Sequence, residues 1–205
     1  MTKLPSNNQQ DLSHLSLYMC EAIDSAAKNI DIISNTLSEA CDLITQTLLN
    51  DRKLIICGNG YSSPIASLLT TCFMHQQEFE RPSLPAINIS IDASTISAIA
   101  KDGNYHQIYS KQIRSIGHEG DTLIALSIDG NCSNIVQAMQ AAHEKGINVI
   151  TILGFEEGKI SAVTQEGDIE VSLYANSVAR AMEAQLLAIN TLCHQIENQL
   201  FGGTY

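Results

Sequence analysis

Short apolar runs alternate with helix-like segments along most of the chain, and this alternation constrains the fold more than any other feature. Such runs, each bounded by a turn or a breaker, predict strands that are buried on both faces. The five predicted strands are Lys53–Cys57, Ala86–Ile91, Thr122–Ser127, Asn148–Leu153 and Asp168–Leu173. Because helical segments connect them, right-handed crossovers would place helices on both faces of one sheet. The sequence therefore predicts an α/β fold, a three-layer αβα domain around a five-stranded, doubly wound parallel sheet.

Two helices are predicted ahead of the sheet, because apolar residues recur at helical spacing in residues 12–33 and again in residues 38–49. The polar stretch MTKLPSNNQQ before them lacks the apolar core of a signal peptide and predicts a flexible start. We therefore divide the chain into a flexible N-terminus (residues 1–11), the leading helices (12–50) and the sheet domain (51–205).

The acidic balance of the chain argues against direct binding to nucleic acid. The 205 residues include 22 Asp and Glu against 11 Lys and Arg, which gives a net charge of −11, whereas binding to phosphate backbones needs clustered cations. The sequence contains no run of about 18 apolar residues, the length that a membrane helix needs. Its six cysteines are scattered without a CxxC pair and predict reduced thiols in the cytoplasm.

Two glycine-containing turns, GNGYSS and SIDGNCS, follow the first and third predicted strands. A doubly wound sheet binds its ligands at this edge. Glycine lets backbone amides converge on an anion, and hydroxyls at the start of a helix add donors where the helix dipole favours negative charge. An ordinary strand-to-helix turn also needs glycine, so that alternative stays open. The candidate ligand-binding residues are Gly58, Asn59, Gly60, Ser62, Ser127, Gly130 and Asn131.

The segments CGNGYSS, ERPSLPAI, GDTLIALSIDGNCSNIV and the terminal NQLF carry a resemblance to a known family. Together they resemble the SIS (sugar isomerase) domain family and, within it, the phosphoheptose isomerase branch. The chain is most similar to the group of that branch known as DnaA initiator-associating proteins (DiaA). The resemblance spans nearly the whole chain, and it implies a homotetramer in which the leading helices pack between subunits.

Four side chains around a metal and a proton-transfer site are implied by the isomerases of this branch, and all four differ here. The His and Glu positions fall on Leu68 and Cys72, and the Gln and His positions fall on Met182 and Asn190. Transfer of a proton between adjacent carbons needs a group that titrates near the working pH, and zinc needs three or four N, O or S ligands. We therefore predict no catalytic residue, no metal and no cofactor.

Two histidines are candidates for a displaced metal site. His75 lies seven residues after Leu68, and His194 lies four residues after Asn190. Each shares a helical face with the lost ligand, but it is displaced along the helix by one or two turns, roughly 5–10 Å. We favour the alternative that the four replaced side chains pack the helix interface over a displaced metal site at these two histidines.

Phosphate recognition is also weakened in the second turn. Against the serine- and threonine-rich turn of the isomerases, Ile128 and Cys132 replace hydroxyl donors and Asp129 adds a negative charge. An arginine of both groups aligns with Gln76. Each hydrogen bond to a charged phosphate that is lost removes about 1.5–3 kcal/mol of binding. Weak binding of a neutral or small polar ligand is the alternative that this turn leaves open.

These departures favour a non-catalytic protein. The resemblance implies the partner, and with it an adaptor that binds the replication initiator DnaA and promotes its assembly at the chromosomal origin. The resemblance points to Leu200 and Phe201 as the contact with DnaA, although both residues would equally pack the helix end onto the core. The first alternative is sedoheptulose 7-phosphate isomerase (phosphoheptose isomerase). The second is a module that senses a sugar phosphate without converting it.

Overall fold

Five parallel strands form a sheet with the order β2-β1-β3-β4-β5 in the computed structural model, which describes residues 8–77, 80–154 and 158–202. The strands are β1 (Leu54–Gly58), β2 (Ala86–Asn88), β3 (Thr122–Ser127), β4 (Asn148–Leu153) and β5 (Ile169–Ser172). Every residue of β1 and β3 is buried, because helices cover both faces of the sheet. The predicted α/β fold and its five-stranded parallel sheet are confirmed.

Six α-helices flank the sheet in the described residues. They are α1 (Asn8–Leu49), α2 (Ser62–Met74), α3 (Ala93–Lys101), α4 (Ser110–Ile116), α5 (Ser133–Glu144) and α6 (Val178–Phe201). One hydrophobic cluster joins α1, α2 and α6 to strand residues such as Ile56 and Ile124. The other joins α4 and α5 to the alternate residues Ile55 and Leu123, with α3 packed at its edge. Successive strand side chains point to opposite faces, so the three layers follow from the sequence.

The leading segment is one continuous helix, α1, where the sequence predicted two helices. The prediction broke the helix at the polar residues Ser34 and Asn35, but both lie on its exposed face. Ile33, Leu37 and Ile44 continue the buried stripe across the predicted break. Without a glycine or proline, polar residues on the solvent side do not end a helix.

The boundary between the predicted flexible start and the first helix also differs from the prediction. Helix α1 begins at Asn8 rather than at Leu12, and the first seven residues of the predicted flexible start lie outside the described residues. The predicted helix Tyr105–Ile116 begins as a short 3₁₀ turn, Tyr105–Gln107, before α4.

No helix within residues 8–77, 80–154 and 158–202 is both long enough and apolar enough to span a bilayer.

The order of the strands places a ligand crevice between β1 and β3. From β1 the chain turns outward to the edge strand β2, and it then returns to β3 on the other side of β1. β1 and β3 are paired from Leu54 with Thr122 to Gly58 with Leu126. Their carboxyl ends therefore lie side by side at the topological switch point, where sheets of this kind bind ligands.

A buried ion pair holds the end of α2 against α6. The Nε of Arg81 lies 2.6 Å from Oε1 of Glu197, and both side chains are almost completely buried, at 2% and 1% exposed. Arg81 also donates to the carbonyl oxygens of Cys72 and Phe73. The guanidinium thus binds the last carbonyl groups of α2 and the carboxylate of α6 together.

Replacing Arg81 by alanine would leave the carboxylate of Glu197 buried without its cation. Removing one partner of a buried pair costs about 3–5 kcal/mol, so we expect Arg81→Ala to lower the free energy of unfolding by that amount in urea denaturation. Arg114→Ala is the matched control, since Arg114 pairs with Glu144 on the surface and such pairs contribute at most about 1 kcal/mol. Equal losses in the two variants would contradict the role of the buried pair.

Candidate functional site

The two predicted ligand turns meet at the carboxyl ends of β1 and β3. The amide side chains of Asn59 and Asn134 bond each other in both directions, at 2.7 and 2.8 Å. The hydroxyl of Tyr109 donates to the carbonyl oxygen of Gly58 at 2.8 Å and to Oδ1 of Asn59 at 3.0 Å. The turn after β1 is thereby fixed to the start of α5.

Gln185 on α6 joins the same two turns from the opposite face. Its side chain is completely buried. Its Oε1 accepts a hydrogen bond from Oγ of Ser62 at 2.9 Å, and its Nε2 donates to the carbonyl oxygens of Ser127 and Ile152, each at 3.0 Å. One side chain therefore connects the start of α2 with the ends of β3 and β4.

Gly58 is required by the close approach of β1 to α2. A Cβ atom at Gly58 would lie 2.6 Å from the carbonyl oxygen of Ser62, a distance that no side chain tolerates. Gly60 has a positive φ of 49°, a conformation that favours glycine. Both glycines of the first turn thus have a structural reason, which agrees with the alternative that the sequence left open.

The structure brings all seven predicted ligand residues together, but it does not present them all to solvent. Ser62 and Ser127 are buried, at 0% and 1% exposed, and Gly58 and Gly130 are buried as well. Gly60 and Asn131 are exposed, and Asn59 is partly buried. The hydroxyl of Ser62 donates to Gln185, so the two buried serines support the turns and do not face solvent.

We call the two turns, Gly58–Ser63 and Ser127–Ser133, the cradle. Its second turn carries the three residues that the sequence marked as unfavourable for phosphate. Ile128, Asp129 and Cys132 are each partly buried. Backbone from the segment after β4 packs closely against this turn, since a Cβ atom at Gly158 would lie 2.8 Å from the carbonyl oxygen of Gly130.

The SIS domain profile matches residues 18–154 of the chain. The chain belongs to the SIS domain family. The phosphoheptose isomerase of Chromohalobacter salexigens is 37% identical over 183 residues, which cover 89% of this chain and 93% of that protein. The phosphoheptose isomerase of Colwellia psychrerythraea is 38% identical over 181 residues, which cover 88% and 92%.

Solved structures agree with this placement in the SIS domain family. The phosphoheptose isomerase from Francisella tularensis has a TM-score of 0.87 at 29% identity, with 92% of this chain and 98% of that chain covered. The enzyme from Neisseria gonorrhoeae has a TM-score of 0.85, with 91% and 98% covered. The resemblance to the SIS family and its phosphoheptose isomerase branch is confirmed.

The relatives overturn the functional reading that the sequence favoured. The adaptor that binds DnaA and the absence of enzyme activity were inferred from Leu68, Cys72, Met182 and Asn190, yet proteins that match nearly the whole chain are phosphoheptose isomerases. Both predictions are wrong. The inference treated the loss of individual side chains as the loss of the reaction, although similarity over the whole SIS domain points to an isomerase.

Of the four replaced positions, Cys72 alone carries a titratable group. The hydrogen bond that it receives from Cys193 lowers the pKa of the Cys72 thiol to about 7, against the opposing effect of burial. Leu68 is 40% exposed, whereas Met182 packs against the core and Asn190 is partly buried. Oδ1 of Asn190 lies 3.5 Å from Nε2 of Gln77.

The metal that the family resemblance implies does not fit these side chains. A thiol, a thioether and an amide are poor and too few ligands for zinc. Within the described part of the chain, no three His, Cys, Asp or Glu side chains are grouped so that they could hold a metal ion. His75 is exposed just after α2, and His194 lies 3.0 Å from the side chain of Asn198; a displaced site at these two histidines stays a prediction.

The terminal pair predicted to bind DnaA is divided between core and surface. Leu200 packs against the cluster formed by α1, α2 and α6. Phe201 is 38% exposed, and its ring centre lies 5.8 Å from the guanidinium carbon of Arg81. Leu200 therefore matches the packing alternative that the sequence left open.

Sequence reasoning missed Gln185, Asn134 and Tyr109, which hold the cradle together. The signal for Gln185 was a polar residue on the buried stripe of α6, between Ala181, Ala184 and Ala188. For Asn134, the signal was an amide side chain in the first turn of a helix that follows a strand. Tyr109 lies on a different element from either turn, and nothing in its local sequence marked it.

Replacing Gln185 by leucine would keep the volume and remove all three hydrogen bonds. Because buried groups would lose their partners, we expect Gln185→Leu to lower the free energy of unfolding by about 1–3 kcal/mol. Gln195→Leu, an exposed change on the same helix, should stay within about 0.5 kcal/mol of the wild type. If urea denaturation shows that Gln185→Leu is as stable as the wild type, the three hydrogen bonds of Gln185 do not contribute to stability.

Proposed function

We propose that the chain is a sugar-phosphate isomerase that interconverts the aldose and ketose forms of a phosphorylated heptose, with sedoheptulose 7-phosphate as the ketose. The observation that carries the proposal is identity of 37–38% with phosphoheptose isomerases across about nine-tenths of both chains. The fold similarity to two solved phosphoheptose isomerases, at TM-scores of 0.85 and 0.87, and the crevice between β1 and β3 support it.

Isomerisation moves a proton from one carbon to its neighbour and needs a group that titrates near the working pH. Cys72 is the one titratable side chain among the four replaced positions, and a hydrogen bond from Cys193 lowers the pKa of its thiol. Cys72 is 7% exposed and belongs to the hydrophobic cluster of α1, α2 and α6, so the proposal does not assign the role of proton carrier to it.

The first experiment measures interconversion of sedoheptulose 7-phosphate and its aldose by the purified protein, with and without added zinc. We expect turnover by the wild type under at least one of these two conditions, as in the phosphoheptose isomerases that match nearly the whole chain.

The outcomes separate the parts of the proposal. Absence of turnover in the wild type under both conditions would contradict the isomerase. Binding of sedoheptulose 7-phosphate without turnover would favour the module that senses a sugar phosphate.

The homotetramer is part of the proposal, and the first half of α1 supports it. Several large apolar side chains of this segment are exposed, among them Tyr18, Met19, Ile23 and Ile30 at 53–68%. A continuous apolar surface of this kind marks a protein–protein contact. We also propose a cytoplasmic location, in agreement with six cysteines of which none forms a disulfide.

A charge at the centre of this apolar surface should separate the subunits. Ile23 is 68% exposed in the single chain, and an aspartate there would be buried without a partner in the assembly. We expect Ile23→Asp to reduce the mass measured by light scattering from that of a tetramer, whereas Ser115→Asp, at an exposed position of α4, leaves it unchanged. A wild type that elutes as a monomer would contradict the tetramer.

A further inference from the structure

The carboxylate of Asp129 folds back over its own turn and occupies donors of the cradle. The backbone N–H of Asn131 donates to Oδ1 of Asp129 at 2.8 Å. The thiol of Cys132, which precedes the first residue of α5, lies 3.6 Å from the same oxygen. A negative group thus already bonds one N–H of the turn that leads into a twelve-residue helix, and the start of a helix attracts anions.

The buried hydroxyls of the cradle are directed away from a ligand as well. Oγ of Ser127 donates to the carbonyl oxygen of Asp129 at 2.5 Å. Oγ of Ser62 donates to Oε1 of Gln185. Each hydroxyl has one proton, so neither serine offers that proton to an incoming phosphate while these bonds persist.

The backbone of the turn is held independently of the Asp129 side chain. The N–H of Ile160 donates to the carbonyl oxygen of Gly130 at 2.9 Å, and the backbone of Gly158 packs against Gly130. The reciprocal amide pair of Asn59 and Asn134 holds the start of α5. The carboxylate can therefore leave its place while the turn keeps its shape.

We propose that Asp129 sets the affinity and specificity of the cradle by acting as an internal competitor of phosphate. The carboxylate takes the amide that a phosphate oxygen would use, and it repels a second negative group. A sugar phosphate binds at this turn only when Asp129 rotates out, and a ligand with a neutral group there is disfavoured much less. This inference deepens the proposed function, because it rests on a sugar phosphate reaching the same cradle.

Titration calorimetry with inorganic phosphate and with sedoheptulose 7-phosphate tests the competition directly. We expect Asp129→Ala, which removes both the charge and the acceptor, to bind each ligand about tenfold or more tighter than the wild type. Asp129→Asn keeps an acceptor for the N–H of Asn131 and removes only the charge, so its gain should be smaller. Sedoheptulose, without the phosphate, should bind the wild type and Asp129→Ala with similar affinity.

Asp92→Asn is the matched control. Asp92 accepts hydrogen bonds from the N–H groups of Ser94 and Thr95 at the start of α3, so the change removes one charge at a helix start outside the cradle. We expect its phosphate affinity to equal that of the wild type. An equal gain in Asp92→Asn and Asp129→Ala would assign the effect to net charge and overturn the proposal.

Two further results would overturn it. One is an Asp129→Ala variant that melts at the wild-type temperature and binds phosphate no more tightly. The other is the absence of phosphate binding in every variant. Calorimetry does not depend on turnover, so a protein that fails to isomerise but gains affinity in Asp129→Ala would contradict the proposed function and retain this inference. A protein that isomerises but gains no phosphate affinity in Asp129→Ala would support the proposed function and contradict this inference.

Discussion

The hydrogen bonds of Gln185 are the contact on which the arrangement of the cradle depends. The two turns follow β1 and β3, and separate segments of sequence form them. Gln185 contributes one buried amide to Ser62 on one side and to Ser127 and Ile152 on the other. A buried amide whose partners move apart loses about 1–3 kcal/mol for each unsatisfied group, so the two turns and α6 keep one relative position.

A second polar contact holds α6 at its other end. Arg81 and Glu197 form a buried ion pair that also binds the last carbonyl groups of α2. Helix α2 is therefore connected to α6 near its first residue through Ser62 and near its last turn through Arg81. The carbonyl group of Cys72 belongs to the second contact, and the hydrogen bond from Cys193 of α6 lowers the pKa of the Cys72 thiol. The position of α6 thus affects both the cradle and this thiol.

The sheet could be predicted from sequence because each buried strand is a short, continuous apolar run, and local pattern suffices for that. The continuity of α1 could not, since Ser34 and Asn35 read as a break until their exposed position is known. The inward direction of Ser62 depends on Gln185, which lies far along the chain. The function was predicted wrongly for a related reason. That prediction relied on four replaced side chains, Leu68 among them, whereas the relatives match nearly the whole chain.

The net charge of the chain, −11, opposes the binding of anions. The exposed Lys159 lies between Gly158 and Ile160, whose backbones contact the second turn of the cradle, whereas the two buried arginines already pair with carboxylates. Arg180 pairs with Glu183 and lies over the ring of Tyr18, and Arg81 pairs with Glu197. Attraction of an anion to the cradle then rests on backbone amides, on Lys159 and on the dipoles of α2 and α5, each dipole worth about 0.3–1 kcal/mol at an exposed helix start. In our proposal, the carboxylate of Asp129 opposes these contributions.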